Sequence, residues 1–570
     1  VMAPDGRSER ARRQEPGYAS RVDIREAGPH PARMRCTSSV ASTARRFSSL
    51  SALLLALLVA SCSDGPAPLV VPTTEGDVQG TLAEDLRIFL GIPYAAPPTG
   101  ALRFLPPAAP AARTETLVAE QYGPSCPGTR TPLDLVLRPR PAAEDCLSLN
   151  IWTQRAAGRR PVMFFIHGGG YVNGASNIPV YDGASLARNG DVVVVSINYR
   201  LAALGFLSTE ALQAERASMD GGAGNMGILD MLAALRWVQD NIAAFGGDPE
   251  NVTIFGESAG GAAVCALLAA PGAEGLFHRG IIESGGCDAS PLRGGSRGTF
   301  DIGDTLVARL GCEGAGALAC LRALTTQQIL AAVMEDASGL GFAPYGPAID
   351  GVTFAQSPGQ LLAAGEGVDV PLMVGSNRDE MTVFLLGTPR PGTPAEMRAE
   401  FLSAAGDDEA KADALMELYD VTTDEAAPRA FVAFATDRAF ACDALSIAET
   451  AASVGREVYL YEFQHVVGNQ GDTFGVGHGF ELPYVFGTLD RFSLFSAMRG
   501  EREDRTQARV QTAWSSFARD GVPEFEGGWP RFTTETHEYM AIDHPSSVDD
   551  AFRQDRCAAL VELGFVSGAL

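Results

Sequence analysis

The chain has 570 residues, 46% of them hydrophobic and 20% charged, an ordinary globular composition with enough apolar material for a large core. Its 44 Lys and Arg against 69 Asp and Glu leave a net charge of −25. That balance argues against a nucleic-acid binder, which carries a basic face, and favours a soluble, self-repelling surface.

Taken in chain order, residues 1–33 are rich in Arg, Pro and Glu without apolar periodicity, and are expected to lie upstream of a true start at Met34. Arg35, Arg45 and Arg46 then precede the apolar run 50–60. That run is too short for a comfortable transmembrane helix, so 34–61 reads as a secretory signal. The signal ends in Val59-Ala60-Ser61-Cys62. This resembles a lipobox, which would make Cys62 a lipidated N-terminus holding the protein to a membrane surface of the cell envelope. Residues 62–72 read as a short tether, and 73–570 as one domain without internal repeats. Ten Cys are present, eight of them beyond the signal and Cys62. An even number in an exported chain points to disulfides, but spacing does not pair them. No Cys or His spacing suggests a metal site.

Within the domain, the apolar runs 161–167, 191–197, 252–255, 280–283 and 370–374 read as strands buried on both faces, and 456–463 as an alternating strand. Residues 227–245 carry helix-period apolar positions and stop at Gly246-Gly247. Residues 385–455 read as mostly helical, packed over the sheet's C-terminal edge. Strand–helix–strand order predicts one α/β domain with a mostly parallel sheet and right-handed crossovers.

The strand at 252–255 runs straight into Gly256-Glu257-Ser258-Ala259-Gly260, followed by the helical pattern 261–270. That frame is what a nucleophile elbow requires: small residues flank a Ser on a strained turn at a helix N-terminus. The partners should follow in the order acid, then His. His278, His465, His478, His537 and His544 come after Ser258. Of these, His478 stands on the Gly-rich loop Gly475-Val-Gly-His-Gly479. Strand 370–374 ends in Gly375-Ser-Asn-Arg-Asp379-Glu380, and by spacing both acids qualify as the orienting carboxylate. Gly168-Gly169-Gly170 after strand 161–167 offers bare N–H groups to a developing oxyanion, with the Ala259 N–H as a further donor.

These segments together resemble the type-B carboxylesterase and cholinesterase family, over about residues 70 to 565. The resemblance is carried by the run from Phe245 through Gly-Glu-Ser258-Ala-Gly260, by Phe89-Leu-Gly-Ile-Pro-Tyr94, by Glu144-Asp-Cys-Leu147, by Asn198-Tyr-Arg200 and by Gly477-His-Gly-Phe-Glu481. It implies an α/β-hydrolase fold. It also implies hydrolysis of small carboxylic esters through an acyl-enzyme, with Ser258 as nucleophile, His478 as base and Glu380 as acid. Gly169, Gly170 and Ala259 would be the oxyanion donors, and no cofactor or metal would be needed. It implies disulfides Cys126–Cys146, Cys312–Cys320 and Cys442–Cys557, leaving Cys265 and Cys287 unassigned, and ion pairs Arg103–Glu144 and Arg200–Asp437.

Met381 and Ser148 depart from the family pattern, and no Trp precedes Cys146. A quaternary ammonium needs an aromatic face, so a general esterase is expected, not a choline esterase. Phe342, Tyr345 and Phe384 are candidate pocket residues by position. An acyl transferase, an amidase or a specialised ester hydrolase would use the same residues. A non-catalytic binding module is disfavoured because all three triad positions are filled.

Overall fold

Along the strand Arg160–Ile166, Val162, Phe164 and Ile166 enter one hydrophobic core while Met163 and Phe165 enter another. A strand covered on both faces has no polar side to show, which is why these segments read as unbroken apolar runs. The computed structural model describes residues 67–130, 137–217, 222–287, 298–337, 343–468, 475–491 and 493–566. The upstream segment, the signal, Cys62 and Phe342 lie outside the described residues.

The strands are β1 (Val70–Val71), β2 (Val78–Gln79), β3 (Thr81–Ala83), β4 (Leu86–Pro93), β5 (Leu117–Val118), β6 (Ser148–Gln154), β7 (Arg160–Ile166), β8 (Val193–Ile197), β9 (Gly247–Glu257), β10 (Arg279–Glu283), β11 (Leu372–Asn377), β12 (Val458–Phe463), β13 (Tyr539–Ile542) and β14 (Ser547–Asp549). An 11-stranded sheet has the order β14-β13-β12-β11-β10-β9-β7-β8-β6-β4-β3. Its strands from β8 across to β13 run parallel, and the two flanks are antiparallel. Strands β1, β2 and β5 form a separate small sheet.

The helices that matter for the site are α1 (Ala184–Gly190), α2 (Met226–Asn241), α3 (Ala259–Ala269), α4 (Ala426–Thr436), α5 (Cys442–Ser453), α6 (Glu501–Asp520) and α7 (Gln554–Glu562). α3 packs on β9 and β10, and α5 on β11 and β12, within the first core. α1 and α6 pack on each other and over the opposite face, where Trp514 and Phe517 join Phe165. α2 passes into a 3₁₀ turn and stops at Gly246, whose φ of +91° suits a residue without a Cβ. α4 packs on the turn just beyond β11, so the mainly helical stretch does reach the C-terminal edge of the sheet. Among the described residues, no single helix is long and apolar enough to cross a membrane.

Two expectations change. Residues 67–72 are part of the fold and not tether: the Ala67 N–H donates to Arg155 O, and Val71 in β1 is fully buried. Arg200 pairs not with Asp437 but with Asp230 on α2, at 2.6 Å. Asp437 instead takes Arg553 and Arg556, at the start of and within α7. Arg200 follows β8 directly beneath α2, whereas Asp437 faces the C-terminal helix, so each cation meets the carboxylate its own neighbour supplies. Arg103–Glu144 forms as expected, at 2.5 Å.

The disulfides Cys126–Cys146, Cys312–Cys320 and Cys442–Cys557 are present. Cys265 and Cys287, which had no assigned partners, are bonded to each other. This fourth bridge ties α3 to the loop that follows β10. Such density of disulfides is the mark of a protein matured in an oxidising compartment.

Candidate active site

Ser258 joins β9 to α3 at φ 60° and ψ −124°, a conformation that costs a non-glycine residue roughly 1–3 kcal/mol. The turn is held from both sides. The Ser258 N–H donates to Glu283 O at 2.9 Å, and its carbonyl accepts from the Ala262 N–H at 2.9 Å. The flanking glycines answer to close approach: a Cβ at Gly260 would lie 2.0 Å from Ile166 O, and one at Gly256 2.5 Å from the Gly260 backbone. Only the smallest residue lets helix, turn and strand meet so closely.

Of the histidines after Ser258, His478 is the one that meets Glu380 among the described residues. His478 Nδ1 lies 2.6 Å from Glu380 Oε2. The other oxygen, Glu380 Oε1, accepts from Ser284 Oγ at 2.5 Å and from the Asn377 N–H at 2.6 Å. The carboxylate is fully buried and its orientation is fixed by three donors. Asp379, equally placed by spacing, turns elsewhere: its Oδ2 accepts from the Val476 N–H at 2.9 Å and pairs with Arg378. Among the described residues His478 Nε2 makes no hydrogen bond, to Ser258 or to any other group. Catalytic hydrogen bonds are often long in unliganded enzymes and tighten around substrate. His465 is buried against Asp543, His537 pairs with Glu449, and His278 accepts from the Val252 N–H.

The glycine loop after β7 passes directly over Ser258. A Cβ on Gly168 would stand 3.0 Å from Ser258 Cβ. Gly169 and Gly170 take φ of +107° and +62°. Their N–H groups donate no hydrogen bond among the described residues. The Ala259 N–H belongs to the first turn of α3, where no carbonyl of the helix can reach it. The loop is braced by His167, whose ring lies flat on Tyr199 and whose Nδ1 meets Gly168 O at 2.8 Å. Burial pushes the His167 pKa down to about 4, so it is a neutral prop.

A strand–Ser–helix elbow, an imidazole on a buried carboxylate and free glycine amides therefore share one end of the parallel sheet. The sequence pattern of the carboxylesterase family matches residues 67–560. The chain is 36% identical over 486 residues to fumonisin B1 esterase of Sphingopyxis macrogoltabida, covering 84% of this chain and 87% of that protein. It is 34% identical over 499 residues to para-nitrobenzyl esterase of Bacillus subtilis (strain 168), covering 84% and 96%. A solved structure of PNB esterase superposes with a TM-score of 0.71 at 31% identity, covering 86% of this chain and 99% of that one. The chain belongs to the carboxylesterase family. It is an α/β-hydrolase that hydrolyses small carboxylic esters.

The esterase site is charged from below. Glu257, Glu283 and Glu481 are buried around the Glu380–His478 pair, and each leaves one carboxyl oxygen without a hydrogen-bond partner among the described residues. Glu283 Oε1 accepts from Trp514 Nε1 at 2.6 Å, and Glu481 accepts from Asn377 Nδ2. Burial raises the pKa of all three. Mutual repulsion adds to the effect, since in a low dielectric these carboxyls cannot all ionise together. Burial acts against a charge on His478, but Glu257 and then Glu380 outweigh it and hold the imidazole above its usual range.

Of the three candidate pocket residues, Phe384 packs on the His478 ring with centroids 4.9 Å apart. Tyr345 is buried in the main core. Sequence reasoning missed Phe440, which lies tilted against the same imidazole with centroids 4.6 Å apart and stacks on Phe384 at 6.0 Å. It projects from a π-helical turn, Asp437–Ala441, between α4 and α5. Such turns re-aim side chains and gather at functional sites, but nothing local in the sequence marks one. Met381 anchors its N–H on Thr436 Oγ1, and Ser148 is buried with its Oγ toward Cys146 O.

Proposed function

We propose that the enzyme cleaves uncharged small esters by a two-step acyl transfer on Ser258. His478 takes the hydroxyl proton as Ser258 attacks the carbonyl, and then gives it to the departing alcohol. Water activated by the same imidazole clears the acyl-enzyme. Glu380 holds the Nδ1–H tautomer and stabilises the imidazolium. Gly169, Gly170 and Ala259 donate to the oxyanion, each worth about 10²–10³ in rate. The observation that carries this reading is the 2.6 Å contact between His478 and a Glu380 carboxylate already fixed by two other donors. It is supported by the strained elbow at Ser258.

Wild-type enzyme should release a burst of nitrophenol from a short-chain nitrophenyl ester and take up one equivalent of a fluorophosphonate. Ser258→Ala should do neither. Stoichiometric labelling of that variant would overturn the assignment.

Choline esters should be poor substrates. All four Trp, at 152, 237, 514 and 529, are buried in packed cores, so no indole face is offered to a quaternary ammonium. Residues 34–61 support a signal, and Cys62 a lipid anchor that holds the enzyme to the outside of a membrane. Cys62→Ala should move the enzyme from the membrane to the soluble fraction, and equal membrane retention would refute the anchor.

A further inference from the structure

His478 lies on the Gly-rich stretch Gly475–Gly479, ahead of the short helix that opens at Leu482. A base misplaced by 1 Å costs about 10²-fold in rate. The segment that carries Glu380 meets this stretch at Gly475, Val476, Gly477 and His478. Two of the bonds are backbone to backbone: the Asp379 N–H to Val476 O at 3.0 Å, and the His478 N–H to Glu380 O at 3.1 Å. The others come from side chains. Asp379 Oδ2 accepts from the Val476 N–H at 2.9 Å. Asn377 Nδ2 donates to Gly477 O at 2.9 Å and also to Glu481 Oε2.

Asn377 is fully buried, and its amide nitrogen has two hydrogens, both used. One holds the residue before His478 and the other a residue three positions after it. The backbone N–H of the same Asn377 holds Glu380 Oε1 at 2.6 Å. Asp379 is pressed so close to the loop that a Cβ at Gly475 would lie 2.6 Å from its Oδ2. One residue thus grips the acid with its main chain and the base's neighbours with its side chain.

We propose that Asn377 and Asp379 are positioning residues for the base: through their side chains, the strand end that carries Glu380 also fixes the loop that carries His478. The inference rests on the Ser258–His478–Glu380 reading. Neither side chain touches substrate. Their work is to keep the His478 Nδ1–Glu380 contact formed while Nε2 moves between Ser258, leaving group and water. Because the contact also favours the imidazolium, loosening it should lower the pKa of the base.

The test compares Asn377→Ala and Asp379→Ala with wild type on a nitrophenyl ester series. Both variants should lose about 10²-fold in kcat with KM changed less than about threefold. The acidic limb of the pH–kcat profile should move to lower pH. Fluorophosphonate should still label one equivalent of Ser258, only more slowly. Asp379→Asn, which keeps an oxygen for the Val476 N–H, should recover most of the loss. An unchanged kcat and pH profile in either folded alanine variant overturns the proposal, as does a fall in activity that only matches a fall in labelled protein. If Asn377→Ala does not fold, Asp379→Ala and its Asn counterpart decide. Should Ser258→Ala itself take the label, the triad reading fails instead, whatever the positioning variants do.

Discussion

Glu257 Oε1 stands 3.0 Å from His478 Nε2, at the ring nitrogen opposite the one bonded to Glu380. The two atoms are close without the alignment of a hydrogen bond. A carboxyl beside Ser258 therefore faces the second nitrogen of the imidazole, and its charge favours the imidazolium.

Glu257→Gln removes that charge and keeps the shape. The His478 pKa should fall, so the base becomes neutral at lower pH. The acidic limb of the pH–kcat/KM profile should move down by about one unit, consistent with a charge at this range. A pH–rate series on a neutral ester checks it. An upward shift would mean that Glu257 is not a source of the raised value.

Glu283 should make the fold pH-sensitive. In the unfolded chain its carboxyl ionises near the ordinary glutamate value of about 4.5, whereas in the fold burial first, and then Glu481 and Glu257, keep it protonated well above that. Between the two values the unfolded state has lost a proton that the folded state retains. Stability contributed by this group is thus present below about pH 4.5 and is lost as pH rises, by about 1.4 kcal/mol per unit. Glu283→Gln does not titrate, so its melting temperature relative to wild type should climb as pH rises above about 4.5. A constant difference across that range would exclude the effect.

Gly169→Ala should damage catalysis more than binding. Its Cβ would fall 2.2 Å from Asn173 Oδ1 and 2.4 Å from Asn173 O, at a φ that an L side chain rarely adopts. The loop must shift and carry its amides off the proposed oxyanion position, at an expected cost of about 10²-fold or more in kcat. Steady-state kinetics with KM held within about threefold is the expected pattern.

Cys442–Cys557 closes the longest loop of the four bridges, with a sequence separation of 115. A loop of that size stabilises by about 4–5 kcal/mol in the chain-entropy account. The double variant Cys442→Ser, Cys557→Ser should lower the urea midpoint accordingly. Replacement of Cys312 and Cys320, which are separated by 8, should cost less.

The parallel centre of the sheet was legible because strands buried on both faces leave a continuous apolar run. The separate small sheet was not: β1, β2 and β5 have two residues each, too few for any period to show. The elbow and His478 were legible from the residues that frame them. The choice of Glu380 over Asp379 needed the family resemblance, because neighbouring carboxyls at a strand end point apart and only the tight turn at Glu380–Thr382 decides which enters the site. The acid cluster was invisible. Glu257, Glu283 and Glu481 are far apart in sequence, and they meet only because β9, β10 and the His478 loop end together. Asp437 was given the wrong cation for the same reason, since Arg553 reaches it from the far end of the chain.

Ser258 and Glu380 precede Cys442, whereas His478 lies between Cys442 and Cys557 and so inside the loop their bond closes. A ribosome delivers these parts in that order. Cys557 sits within α7, so the bond that closes this loop can form only once Ser258, Glu380 and His478 have all been synthesised.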